Sequence, residues 1–120
     1  MNFQKLHSDI ISIDPKIRMV TICDMNGKIM FSDHKSGVVN LLNPDESKKS
    51  LQMAISGWKA RSELANKIGK GKYVVAEYEK IKRITMPLGN DHLLYITTEV
   101  EVDHDKVLDG IRRLRLEFNK

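Results

Sequence analysis

The stretch Ile17–Cys23 is apolar at both odd and even positions, with Ile17, Met19 and Cys23 in one set, Val20 and Ile22 in the other, and Arg18 the only charge. Successive strand side chains point to opposite faces, so such a strand has to be covered on both, and helices are expected on both faces of its sheet. Asp24-Met25-Asn26-Gly27 follows, then Lys28-Ile29-Met30-Phe31. Asn and Gly tolerate the positive φ of tight hairpin turns, so the two runs read as a β-hairpin.

The rest of the chain supplies the helices and further strands. Phe3, Leu6, Ile10 and Ile13 recur with the spacing of one helical face, and Asp14-Pro15 ends that pattern because proline disfavours α geometry in the residue before it. Asn43-Pro44-Asp45-Glu46 is a strong helix start, with a capping side chain, proline at the first helical position and acidic residues at the positive helix end. The pattern predicts a helix to about Ile68, stopped by Gly69, with Leu51, Ala54, Ile55, Trp58, Ser62, Ala65 and Ile68 on its sheet-facing side. Tyr73–Tyr78, Ile81–Met86 and Leu93–Thr98 are rich in Val, Ile, Thr and Tyr and read as strands, the last two joined by a turn over Pro87-Leu88-Gly89-Asn90-Asp91. Between the first two, Glu79-Lys80 carries no Gly or Pro to mark the boundary. Asp103 caps a last helix with the stripe Val107, Ile111, Leu114 and Phe118, flanked by Leu108. The order α-β-β-α-β-β-β-α defines an α+β fold.

A chain of 120 residues is long enough for one hydrophobic core and too short for two, so residues 1–120 are expected to form a single domain. Its 41% hydrophobic and 30% charged residues place it with folded chains. It has no apolar run of membrane-spanning length, and Met1-Asn2-Phe3-Gln4-Lys5 lacks the regions of a signal peptide. The lone Cys23 has no partner for a disulfide and reads as a small buried hydrophobe. A cytoplasmic protein without membrane insertion is the expectation.

Two stretches carry a family resemblance. Val20-Thr21-Ile22-Cys23-Asp24-Met25-Asn26-Gly27-Lys28-Ile29 resembles the opening hairpin of the roadblock/dynein light chain domain, a hydrophobic strand, an Asp-x-x-Gly turn and a second strand. Ile84-Thr85-Met86-Pro87-Leu88-Gly89 with Leu93-Leu94-Tyr95-Ile96 is similar to that family's Pro-Leu-Gly turn before its last strand. Tyr78-Glu79-Lys80-Ile81-Lys82-Arg83-Ile84 also resembles a stretch shared by a family of short uncharacterised archaeal proteins. The bulky first strand departs from the roadblock pattern, where small residues are common, which leaves a profilin-like or PAS-like sheet open. The roadblock resemblance implies a five-stranded antiparallel sheet in the order 2-1-5-4-3, the long central helix on one face and the two terminal helices on the other. It also implies a homodimer formed through the central helix and the neighbouring edge strand, and a non-catalytic platform or regulator of a small GTPase.

The search for chemistry returns little. His7, His34, His92 and His104 are far apart in sequence and none is paired with another His or with Cys at ligand spacing, so no metal is expected. Gly69-Lys70-Gly71-Lys72 lacks the phosphate-loop spacing and precedes a strand, so it reads as a helix stop and turn. There is no nucleophile-elbow or Cys-His-Asn signature, and Asp103, Asp105 and Asp109 fit the start of the last helix better than an acid pair. No catalytic residue and no cofactor are expected.

The long helix is more informative. Met53, Gly57, Ala60 and Leu64 form a second uncharged row beside the sheet-facing one, although a helix that covers one sheet needs only one stripe. Glycine inside a helix costs about 1 kcal/mol against alanine and permits close backbone approach. The row therefore reads as a dimer seam, extended by the edge strand with Tyr73, Val75 and Tyr78. The competing cover is the loop from Asp33 to Leu42, using Val38, Val39, Leu41 and Leu42. Residues 44–72 carry seven Lys/Arg against three Asp/Glu, yet only Tyr73 and Tyr78 lie near Lys48, Lys49, Lys59, Arg61, Lys67, Lys70 and Lys72 as stacking platforms, which argues against nucleic acid. Two readings of different class remain: a homodimeric protein-interaction module, and a small-molecule sensor with a pocket between sheet and helix.

Overall fold

The computed structural model describes residues 2–118, with side chains described as far as Leu114. Helix α1 (Phe3–Ile11) is followed by β1 (Ile17–Asp24), β2 (Ile29–His34), α2 (Pro44–Ser62), the single-turn α3 (Ala65–Ile68), β3 (Val74–Glu77), β4 (Ile81–Leu88), β5 (His92–Glu99) and α4 (His104–Phe118). The five strands form one sheet in the order β2-β1-β5-β4-β3, all neighbours antiparallel.

The two-sided apolar character of β1 has the expected outcome except at Ile17, which joins the Val20 and Ile22 face and not that of Met19 and Cys23, because the strand is irregular between Ile17 and Met19. Val20 and Ile22 join Ile84, Met86, Leu94 and Ile96 in a core covered by Leu6 and Ile10 of α1 and by Val107, Leu108 and Ile111 of α4. Cys23, on the other face, packs with Leu93 and Tyr95 under Leu51, Ala54, Ile55 and Trp58 of α2. The terminal helices thus lie on one face and the long helix on the other. In the last stripe Leu114 packs against the first core, while the Phe118 side chain falls outside the described residues.

Local chemistry explains the helix starts. The Asn43 side chain accepts from the Glu46 N–H at 2.8 Å and the Glu46 carboxylate accepts from the Asn43 N–H at 3.0 Å, a reciprocal capping box. Asp103 accepts from the N–H groups of Asp105 and Lys106 at the start of α4. Asn2 caps α1 by accepting from the Lys5 N–H.

Beyond small shifts in α1, β2 and β5, where α1 stops at Ile11, β2 runs on to His34 and β5 spans His92–Glu99, three elements differ from the sequence expectation. The long helix ends at Ser62, not near Ile68. The Ser62 hydroxyl donates to the Lys59 carbonyl, and the N–H groups of Glu63 and Leu64 reach back only three residues, so the chain tightens and restarts as α3. Ser62 and Ile68 consequently leave the sheet-facing stripe, Ile68 with 80% of its surface exposed, and Ala65 is half-buried. Strand β4 extends through Pro87 to Leu88, which narrows the following turn to Gly89–Asp91. Proline is tolerated because β3 pairs only as far as Thr85, so β4 has no neighbouring strand on that side at Pro87. Strand β3 spans Val74–Glu77, one residue shorter at each end than the Tyr73–Tyr78 reading.

Candidate protein-interaction surface

Among the described residues the outer side of α2 is left open. Met53, Ala60 and Leu64 are exposed and Gly57 is half-exposed, while the same helix buries Leu51, Ala54, Ile55 and Trp58. Leu64 lies in the turn after α2, at the cap of α3, so the helical part of the row is Met53, Gly57 and Ala60 and Leu64 continues it off the helix end. The competing cover is not in place. Val39, Leu41 and Leu42 are themselves exposed, and the loop is held elsewhere: Arg18 Nη2 donates to the Val39 carbonyl at 2.8 Å, the Lys35 N–H bonds to the Arg18 carbonyl at 2.7 Å, and the Lys35 ammonium contacts the Pro15 carbonyl.

Trp58 sets the depth at which α2 sits. Its Nε1–H donates to the Thr85 hydroxyl at 2.9 Å, and a Cβ placed on Gly71 would meet its ring at 2.7 Å. The Gly69-Lys70-Gly71-Lys72 segment is therefore a stop at Gly69, where φ is +91°, followed by a close pass over an indole at Gly71. The Arg61 guanidinium lies over the outer part of the same ring, 5.4 Å from its centroid.

Among the described residues strand β3 bonds only to β4, so one of its edges is unpaired there. Tyr73 and Tyr78 flank it and are exposed, with Arg112 over the Tyr73 ring and Arg83 over the Tyr78 ring, each at 5.6 Å. Val75 packs against the core on the terminal-helix side, so only its backbone is available at the edge. The Tyr78 N–H donates to the Ile81 carbonyl and closes the β3–β4 hairpin over Glu79-Lys80, without positive φ at either residue. The sequence-predicted residues thus form two neighbouring features, a helical row and a strand edge.

The remaining chemistry is structural. His7 is buried, its Nε2 3.2 Å from the Asp33 carbonyl and its ring tilted on Phe31. Lys82, also buried, donates to the Val102 carbonyl at 3.0 Å and to His104 Nδ1 at 3.1 Å, tying β4 to the start of α4. Among the described residues no group of three or more His, Cys, Asp or Glu could hold a metal ion, and no helix is long and apolar enough to cross a membrane. The basic residues Lys48, Lys49, Lys59, Arg61, Lys67, Lys70 and Lys72 are all exposed. Sequence reasoning missed an open groove of about 1100 Å³ between the start of α2, the loop and the sheet, because it weighed the loop leucines only as a competing cover for the helix row.

This arrangement is the roadblock/LC7 fold. A roadblock/LC7 domain from Streptomyces avermitilis superposes with a TM-score of 0.76 at 16% identity over 99% of this chain and 96% of that one. An MglB structure with a tetrameric arrangement gives 0.77 at 15% identity over 93% and 81% of the two chains. Profilin from Schizosaccharomyces pombe gives 0.65 at 12% identity over 98% and 96%, so the profilin likeness is real at the level of the sheet and its helices. No protein-family model and no curated protein sequence matches the chain.

Proposed function

We propose that the chain is a non-catalytic protein-interaction module that works as a two-fold homodimer, with Met53, Gly57, Ala60 and Leu64 against their own copies. The β3 edges, flanked by Tyr73 and Tyr78 and including the backbone of Val75, pair beside that seam. Gly57 carries this reading. A Cβ at that position would meet only the movable end of Arg61, Nη1 at 2.8 Å, so packing within the chain does not call for glycine. Close approach by a second helix does. A two-fold axis brings each row onto itself, the self-complementary arrangement a symmetric dimer needs, and the unpaired β3 edge offers a template for a second strand.

The partner class follows from the family resemblance, whose members include platforms and regulators of small GTPases. The MglB structure with a tetrameric arrangement supports assembly through this fold. The sensor alternative calls for an enclosed pocket, whereas the large hollow between sheet and helix is an open groove bordered by the exposed Leu41, Leu42 and Met53.

Light scattering on wild type and Ala60→Glu at matched concentration, with circular dichroism to confirm folding, tests the seam. The expected result is a wild-type dimer and a folded Ala60→Glu monomer, because two carboxylates near the axis would be buried unpaired. A wild-type monomer at tens of micromolar, in the range where modest dimers form, or a folded Ala60→Glu dimer contradicts it. Immobilised wild type incubated with purified small GTPases tests the partner class, and absence of retention removes it.

A further inference from the structure

We infer that the groove between the start of α2 and the sheet is a docking site for an acidic amphipathic helix of a partner protein. Three large apolar side chains outside the proposed seam border it while staying in solvent: Ile29 at 54% exposure, Leu41 at 54% and Leu42 at 39%, with Met53 where groove and seam meet. Scattered exposed hydrophobes need no explanation, but three converging on one hollow from β2 and the loop do. Arg18 and Lys35 hold the loop backbone at Lys35 and Val39 to the start of β1, and Leu41 and Leu42 remain exposed beside the hollow. At about 1100 Å³ the hollow exceeds what most small ligands fill, and its open length suits the apolar face of a helix.

The charge around the groove selects the partner's polar face. Five cations line it, Arg18, Lys48, Lys49, Lys80 and Arg83, against Glu46 and Glu79. Arg18 is paired with Glu99 at 2.9 Å, which leaves Lys48, Lys49, Lys80 and Arg83 against Glu46 and Glu79, a net positive lining. Arg83 is held in place by its bond to the Ser50 hydroxyl and by the Tyr78 and Tyr95 rings at 5.6 and 5.8 Å. Carboxylates on the polar face of a docked helix would meet these cations, and lysines would be repelled. The inference does not rest on the dimer seam, with which the groove shares Met53 and Tyr78 alone.

Fluorescence anisotropy with two labelled synthetic helices tests it. Both carry the same leucine face, one with glutamates and the other with lysines on the polar face. The glutamate peptide is expected to bind at least about tenfold more tightly. Leu41→Asp/Leu42→Asp, at exposed positions that leave the fold intact, should weaken it by a similar factor, and Lys48→Glu/Lys49→Glu should erase the preference. Absence of saturable binding, equal affinity for the two peptides, or displacement of the glutamate peptide by a single-stranded oligonucleotide overturns the inference. So does a wild-type dimer that Leu41→Asp/Leu42→Asp converts to monomer, since the groove would then be covered by a second copy.

Discussion

Cys23 shows how the two-sided sheet controls a single side chain. It is fully buried beneath α2, and burial, with the Asp24 carboxylate beside it, pushes the thiol up to about 11. The thiolate is the reactive form, so a thiol reagent at mildly alkaline pH should leave folded protein untouched and label it on addition of denaturant. Rapid labelling of the folded chain would contradict the burial. Asp14 responds to pH in the opposite sense. Its carboxylate accepts from the Lys16 N–H at 2.8 Å and pairs with Lys106 at 3.1 Å, and these hold its pKa below the usual value with the Lys16 bond first. A group whose pKa is depressed on folding stabilises above its unfolded pKa and loses that contribution as pH falls through the folded one. Asp14→Asn should therefore lower stability by roughly 1 kcal/mol at neutral pH and flatten the loss of stability in the acid range. Denaturant midpoints across pH 7 to 2, spanning the ordinary carboxylate range, measure both effects, and parallel curves for the two proteins would sink the assignment.

At the scale of elements, the packing of α2 on the sheet depends on Trp58 and on the glycine that passes over it. Trp58→Ala removes the ring and its bond to Thr85 and should cost roughly 3–5 kcal/mol. Gly71→Ala should cost about 1–3 kcal/mol, because the new Cβ would overlap the indole at 2.7 Å. Gly71→Ala in a Trp58→Leu background should recover part of that loss, and unfolding in urea decides whether the two sites couple. Much of this was legible in the sequence: the apolar β1, the β1–β2 hairpin, the Asn43 cap and the Leu51, Ala54, Ile55, Trp58 stripe state their structures locally, although the hairpin turn carries positive φ at Gly27 and not at Asn26. The break at Ser62 was not, because a helix that restarts after one tight turn keeps nearly the same hydrophobic spacing. The strand character of Pro87 was hidden as well, since its tolerance depends on where β3 ends and not on any neighbour in sequence.

For the whole molecule, the terminal helices close one face of the sheet, α2 closes part of the other, and the uncovered remainder with the β3 edge is the surface we propose for other chains. The row Met53, Gly57, Ala60 and Leu64 was legible as a feature left open, because an uncharged row with a glycine exceeds what one sheet requires. The groove was not, because the position of the loop from Asp33 to Leu42 is fixed by long-range bonds from Arg18 and Lys35 that no local pattern announces. The most direct test of the homodimer uses Ala60→Cys, treated with a short bis-maleimide at micromolar protein while the buried Cys23 stays silent. The account predicts a covalent dimer on a denaturing gel, formed with Ala60→Cys and absent with Gln4→Cys, exposed on α1 at the opposite face of the sheet. Ala60→Cys that remains monomeric under conditions where its thiol is fully modified would contradict it.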